Sequence, residues 1–234
     1  MKALITVKNI QEAGVVLKSG CDILDIKNPA EGSLGASYPW VVKEIMGIVP
    51  EDVQTSIAIG DVPNLPGTIS FAVWGALVFK PDYIKIGLKG TTTQKEAVKF
   101  MKHIVRTAKL SKLNTRIVPV CYADYIRTQT VNPFYIAEIS VEAGAKVAMI
   151  DTMIKDGKTL LDFMSVVDLR KIVSMCHKRK IEAAFAGSLT LKHIEIIRDT
   201  GADIFGVRGA VCVKGDRESK LSGELTKKFY EKFK

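Results

Sequence analysis

The sequence predicts an α/β protein, a single (β/α)8 TIM barrel. Three observations predict it. Eight short aliphatic runs recur along the chain, helix-period segments separate them, and no linker or shift of composition divides residues 1–234 into smaller units. A closed barrel of eight strand–helix pairs typically takes about 250 residues and as few as about 200, so closure fits a chain of 234 residues better than an open sheet.

The aliphatic runs, in order, are 3–7, 23–27, 53–60, 83–88, 116–121, 147–151, 181–186 and 203–208. Each is short and apolar without strict alternation, the pattern of a strand buried on both faces. Between them the clearest helix is 94–110. There Ala97, Phe100, Met101, Ile104, Val105 and Ala108 share one face and lysines fill the other. Segment 162–178 is expected to behave alike, through Phe163, Val166, Val167, Ile172, Val173 and Cys176. Strand and helix alternating in this way imply parallel strands with crossover helices.

A faint repeat supplies a ruler. Gly20-Cys-Asp-Ile-Leu-Asp-Ile-Lys27 resembles Gly201-Ala-Asp-Ile-Phe-Gly-Val-Arg208, Gly144-Ala-Lys-Val-Ala-Met-Ile-Asp151 has the same phasing, and Asp82-Tyr-Ile-Lys85 joins it in register. Side chains alternate faces along a strand. Lys27, Asp151 and Arg208 therefore hold equivalent positions, with Asp25 and Lys85 two residues earlier on the same face. They come from strands two, four, six and eight, and alternate strands feed one inward layer of a barrel. The ruler thus predicts that Asp25, Lys27, Lys85, Asp151 and Arg208 converge inside, toward the C-terminal strand ends where barrel active sites lie. Solvated or paired strand-end charges are the competing reading. It fits one such residue better than five on one face, because inward charges are costly unless paired or used.

Other classes are excluded on simpler grounds. No apolar stretch approaches the ~20 residues of a membrane span, and the N-terminus turns polar too soon for a signal peptide. The four cysteines (Cys21, Cys121, Cys176, Cys212) are scattered, without a C-x-x-C pair, which reads as reduced thiols in a cytoplasmic protein. The net charge of +9 attracts anions, nucleic acid or phosphorylated metabolites alike. Its lysines are mostly spread out and no nucleic-acid-binding signature appears, so no nucleic-acid partner is expected. Neither a metal nor another cofactor is signalled, and no G-x-S-x-G elbow is present. His103, His177 and His193 fall in helical segments and receive no catalytic role. Exposed barrel helices leave a homo-oligomer open.

The chemistry follows from the cluster. Burial and neighbouring cations both disfavour protonation of a lysine, while nearby carboxylates oppose them. A lysine with a lowered pKa is an amine nucleophile toward an aldehyde or ketone. The resulting iminium acidifies the adjacent carbon, and a second lysine or an aspartate can then move protons. Lys155, four residues beyond Asp151, is placed either to reach back over the mouth or to be solvated. Glycines in 28–36, directly after Lys27, permit close approach to a ligand. Gly187 and Ser188 after strand seven, and Gly209 with Arg208 after strand eight, suit the phosphate site that such barrels build there. The residues alone imply a Schiff-base enzyme acting on a small phosphorylated carbonyl compound.

Several motifs are more specific. Asp25-Ile-Lys-Asn-Pro-Ala-Glu-Gly-Ser-Leu-Gly35, Ile59-Gly-Asp-Val-Pro63, Tyr83-Ile-Lys-Ile-Gly87, Asp151-Thr with Lys155-Asp-Gly-Lys-Thr159, and Gly206-Val-Arg-Gly-Ala-Val-Cys212 resemble the (5-formylfuran-3-yl)methyl phosphate synthase family. That family, also called 4-(hydroxymethyl)-2-furancarboxaldehyde-phosphate synthase, serves methanofuran biosynthesis. The resemblance runs along essentially the whole chain. It implies a lyase that condenses two glyceraldehyde 3-phosphates, with loss of one phosphate and two waters. It also implies that Lys27 forms the Schiff base, that Lys85 accepts protons and that Asp25, Asp151 and Lys155 support them. The family occurs mainly in methanogenic archaea, with relatives in some methylotrophic bacteria, which implies a cytoplasmic enzyme. The first alternative is another Schiff-base aldolase acting on a sugar phosphate; a non-covalent phosphosugar isomerase or epimerase and a basic nucleic-acid-binding protein stand behind it.

Overall fold

A computed structural model describes residues 1–234. Eight parallel strands close into a barrel in the order β1 to β8, with β1 pairing β8. They are β1 Lys2–Val7, β2 Ile23–Ile26, β3 Gln54–Asp61, β4 Tyr83–Gly87, β5 Arg116–Tyr122, β6 Val147–Asp151, β7 Glu182–Phe185 and β8 Ile204–Val207. All eight expected strands are present, with ends within one residue of those expected. The crossovers carry α1 Ile10–Ser19, α2 Pro39–Met46, α3 Pro66–Leu77, α4 Gln94–Leu110, the short α5 Tyr125–Thr128, α6 Ile136–Ala143, α7 Val166–Lys178 and α8 Ile194–Arg198. α9, Gly223–Phe233, follows β8 and packs on α1, its Phe229 and Phe233 set against Phe205 of β8.

The core has two parts. One lies between the sheet and its ring of helices and contains most of the buried side chains. The other fills the barrel itself, with Leu4, Ile23, Tyr83, Val118, Met149 and Ile204 among its members. Both strand faces are therefore apolar, which explains the unbroken hydrophobic runs. α4 spans the expected 94–110, started by a capping box in which Thr93 and Glu96 serve each other's backbone. Segment 162–178 is corrected. Leu160–Asp162 is a separate 3-10 turn, and a second capping box, between Ser165 and Asp168, starts α7 only at Val166. That start turns Val167 outward, 58% exposed, and Leu169 inward.

Two local features shape the mouth. β3 shifts register against β4 between Ala58 and Asp61, where Gly60 takes φ +127°. Such a register shift bends the strand and re-aims its end. The loop after β2 folds back on itself, Asn28 N–H donating to Gly35 C=O at 2.9 Å. Leu34 thereby enters the barrel-filling cluster, fully buried. No helix is long and apolar enough to cross a membrane.

Candidate active site

Four of the five residues that the ruler turned inward meet at the C-terminal mouth. Asp25 on β2 is fully buried. Its Oδ2 accepts from Lys85 Nζ on β4 at 2.7 Å and from Thr6 Oγ1 on β1 at 2.8 Å. On the other side, Asp151 at the end of β6 accepts from Lys155 Nζ at 2.7 Å and from Thr152 N–H at 2.7 Å. Lys155 also donates to Thr152 Oγ1 at 3.1 Å, so it does reach back over the mouth. Burial would raise both carboxyls. Lys85 and Lys27 hold Asp25 below its usual range, and Lys155 and Lys27 do the same for Asp151.

Lys27 stands between these two ion pairs and is itself unpaired. Its Nζ donates to the carbonyl of Ser33 at 2.9 Å and lies in no salt bridge, although the residue is only 7% exposed. Burial, first, and the repulsion of Lys85, second, lower its pKa to about 7 against the opposing pull of Asp151 and Asp25. An amine in that state is half neutral at neutral pH, and so nucleophilic, while Asp25 and Asp151, held below their usual range, remain charged.

Arg208 does not join them. Although 6% exposed, its guanidinium turns toward α1 and pairs with Glu12, Nη1 to Oε2 at 2.8 Å and Nη2 to Oε1 at 3.3 Å. Its remaining donors reach Thr6 C=O at 3.2 Å and Arg217 C=O at 2.6 Å. Strand parity set where its Cβ points; a long side chain beyond the strand end then found the buried Glu12.

A cavity of about 770 Å³ opens above the lysines, lined by Lys27, Lys85, Asp151, Lys155, Gly187, Ser188 and Gly209 and edged by Arg208. Asp25 lies behind Lys85 rather than in the wall. Gly187 has φ +111°, and a Cβ there would stand 3.0–3.1 Å from Thr152. Gly209 starts the 3-10 turn Gly209–Val211 and faces Gly215 C=O, 3.0 Å from where a Cβ would be. Backbone is thus brought to the cavity surface on its β7–β8 side.

Sequence reasoning missed four contributors. Nothing local in the sequence marks Glu12 of α1 as buried. Asp124 caps the β6 loop, accepting Met153 N–H at 2.8 Å and Ile154 N–H at 2.9 Å. Asp61 and Tyr122 are hydrogen-bonded to one another beside the β2 loop. Asp61 stood inside a quoted motif, which was the available signal.

A family model described as 4-HFC-P synthase matches residues 3–230. A (5-formylfuran-3-yl)methyl phosphate synthase of Methanococcus maripaludis is 45% identical over 228 residues, 97% of each chain. One of Methanocaldococcus jannaschii is 44% identical over 232 residues, 99% of each chain. Among solved structures, 3-hexulose-6-phosphate synthase of Salmonella typhimurium superposes over 100% of both chains with a TM-score of 0.64 at 15% identity, a likeness of fold.

Proposed function

The chain belongs to the 4-HFC-P synthase family, and from that membership we propose that it condenses two glyceraldehyde 3-phosphates into (5-formylfuran-3-yl)methyl phosphate, for methanofuran biosynthesis in the cytoplasm. Two trioses lose one phosphate and two waters, which balances the furan aldehyde product. The observation that carries the reading is Lys27: a buried amine with no carboxylate partner, held near neutrality between two lysine–carboxylate pairs.

Lys27 Nζ attacks a triose carbonyl, and loss of water leaves an iminium. The C–H next to it is then acidic, and Lys85, backed by Asp25 at 2.7 Å, receives and returns protons during carbon–carbon bond formation and elimination. Lys155 and Asp151 form a second pair that serves the departing oxygens on the far side of Lys27. Two phosphorylated substrates need two anion sites. The lysines supply one, and the backbone around Gly187, Ser188 and Gly209 suits the other. Arg208, occupied by Glu12, braces the loop after β8 and is not assigned to phosphate. No metal or other cofactor is required by these steps.

Mixing the protein with glyceraldehyde 3-phosphate is expected to generate furan ultraviolet absorbance, with one phosphate released per two trioses consumed. A linear sugar phosphate without furan absorbance would instead identify a Schiff-base aldolase. The pH dependence has a definite sign. Lys27 is lowered to about 7, so its neutral fraction grows as pH rises through that value. The initial rate of borohydride-trapped adduct on Lys27 should therefore increase from pH 6 to pH 8 and level off above, whereas an ordinary lysine would still be gaining at pH 9–10. A flat profile across neutral pH would contradict this assignment.

A further inference from the structure

The motif Ile59-Gly-Asp-Val-Pro63 has no part in the chemistry above, yet its aspartate occupies a built position. Asp61 stands at the bulged end of β3. Its Oδ1 accepts the hydroxyl of Tyr122, which is buried on β5, and its Oδ2 accepts Leu34 N–H at 3.2 Å. Burial, first, and the Asp61 charge, second, push the Tyr122 hydroxyl well above its ordinary pKa, so it remains a donor. Glycines make the room. A Cβ on Gly32 would sit 2.4 Å from Asp61 Oδ2, and one on Gly87 would sit 2.1 Å from the Tyr122 hydroxyl oxygen and 3.0 Å from Asp61 Oδ1.

What the pair holds is the segment Gly32, Ser33 and Leu34. Each of the three is fastened to a different element. Gly32 C=O accepts from Arg217 Nη2 at 2.9 Å, Ser33 Oγ donates to Thr152 C=O at 2.8 Å, and Leu34 N–H is bound by Asp61. The Leu34 side chain, fully buried, plugs into the barrel-filling cluster, and the peptide before it presents the Ser33 carbonyl to Lys27 Nζ. The acceptor of the nucleophile and the N–H held by Asp61 are therefore the two ends of one peptide group, Ser33–Leu34.

We propose that Asp61, with Tyr122, is a positioning residue for Lys27. It holds the Leu34 peptide so that the Ser33 carbonyl orients the Lys27 nitrogen and Leu34 shields it from water. The carbonyl serves the amine and, through the one N–H that remains, the iminium, fixing the plane in which the adjacent C–H is removed. This deepens the Schiff-base reading and rests on it. Without the anchor, the loop opens and water reaches Lys27. The charged groups facing Lys27 are Asp25 on β2, Lys85 on β4, and Asp151 and Lys155 at the end of β6. Deleting a carboxylate would by Coulomb attraction alone lower a lysine's pKa, so an upward shift in the variant reports solvation.

Reductive methylation of the whole protein with formaldehyde and cyanoborohydride, followed by peptide mass spectrometry, reads the titration of Lys27 without substrate. In the wild type the half-maximal rate at Lys27 is expected near pH 7. In Asp61→Ala it should move upward by more than one pH unit, with kcat lower by about 10²-fold and KM changed far less. Asp61→Asn should restore most of both, since the amide can accept from Leu34 N–H while donating to the Tyr122 oxygen. Leu34→Ala, which removes the plug and keeps the anchor, should shift Lys27 the same way and serves where Asp61→Ala fails to fold. A folded Asp61→Ala or Leu34→Ala protein in which Lys27 titrates as in the wild type overturns the proposal, as does an Asp61→Asn variant as impaired as the alanine. An unshifted variant beside a wild type that forms the triose adduct sinks the positioning role alone. A wild type with Lys27 near pH 7 but no triose adduct sinks the Schiff-base reading instead.

Discussion

Replacing Lys27 by arginine is expected to lower turnover by at least about 10⁴-fold, the scale on which covalent nucleophiles matter. Borohydride in the presence of glyceraldehyde 3-phosphate should then leave no triose adduct at position 27. The guanidinium keeps a positive charge, but at neutral pH Lys27 is half uncharged, so arginine copies the wrong form. Lys27→Met is the sterically closer control and should be equally inactive. Stability separates the two variants. Because the folded-state pKa of Lys27 lies below its unfolded value, the native protein binds fewer protons between about pH 7 and the ordinary lysine range. The cost of burying Lys27 is therefore full below pH 7 and fades as pH rises. Lys27→Met should gain most in denaturation midpoint at or below pH 7, and Lys27→Arg should not gain at all. Lys85→Arg differs in kind: the adduct on Lys27 should still form, with later proton transfers slowed. An adduct found only on Lys85 would reverse the two roles.

Glu12→Ala should be strongly destabilising although it lies away from the lysines. It leaves the Arg208 guanidinium buried with only Thr6 C=O and Arg217 C=O as acceptors, and it deprives Lys8 N–H of its 2.9 Å bond to Glu12. Removing one partner of a buried pair costs about 3–5 kcal/mol. At roughly 2–4 °C per kcal/mol for a chain of this size, Tm should fall by about 10 °C. The double variant Glu12→Met with Arg208→Met should recover most of that, because two apolar side chains leave no unpaired charge. A loss below about 1 kcal/mol for Glu12→Ala would mean that the pair behaves as a solvated surface bridge.

Much of the charge cluster at the mouth could be read from residue order. A strand buried on both faces must be apolar throughout, so charges at 25, 27, 85 and 151 stood out against their runs. Period-two alternation put them on one face, and all four meet there. The same rule misled at Arg208, because parity governs the Cβ direction and not where a flexible side chain ends. Helix phase misled at Val167, where the capping box on Ser165 started the helix later than apolar spacing suggested.

Local sequence determines the period of each element, the count of eight strands and the face each strand residue takes, because those depend on backbone geometry a few residues long. It also determines family membership, since 45% identity extends over 97% of the chain. Which charges are paired is a different matter. Lys85 meets Asp25 across 60 residues, Arg208 meets Glu12 across 196, and Ser33 reaches Thr152 across 119. Only the closed barrel brings such partners together, and only their distances decide that Lys85 and Lys155 have carboxylates while Lys27 has a carbonyl. The pKa of a buried amine is set by who stands within a few ångströms of it, and for Lys27 the repelling Lys85 and the attracting Asp151 come from other strands.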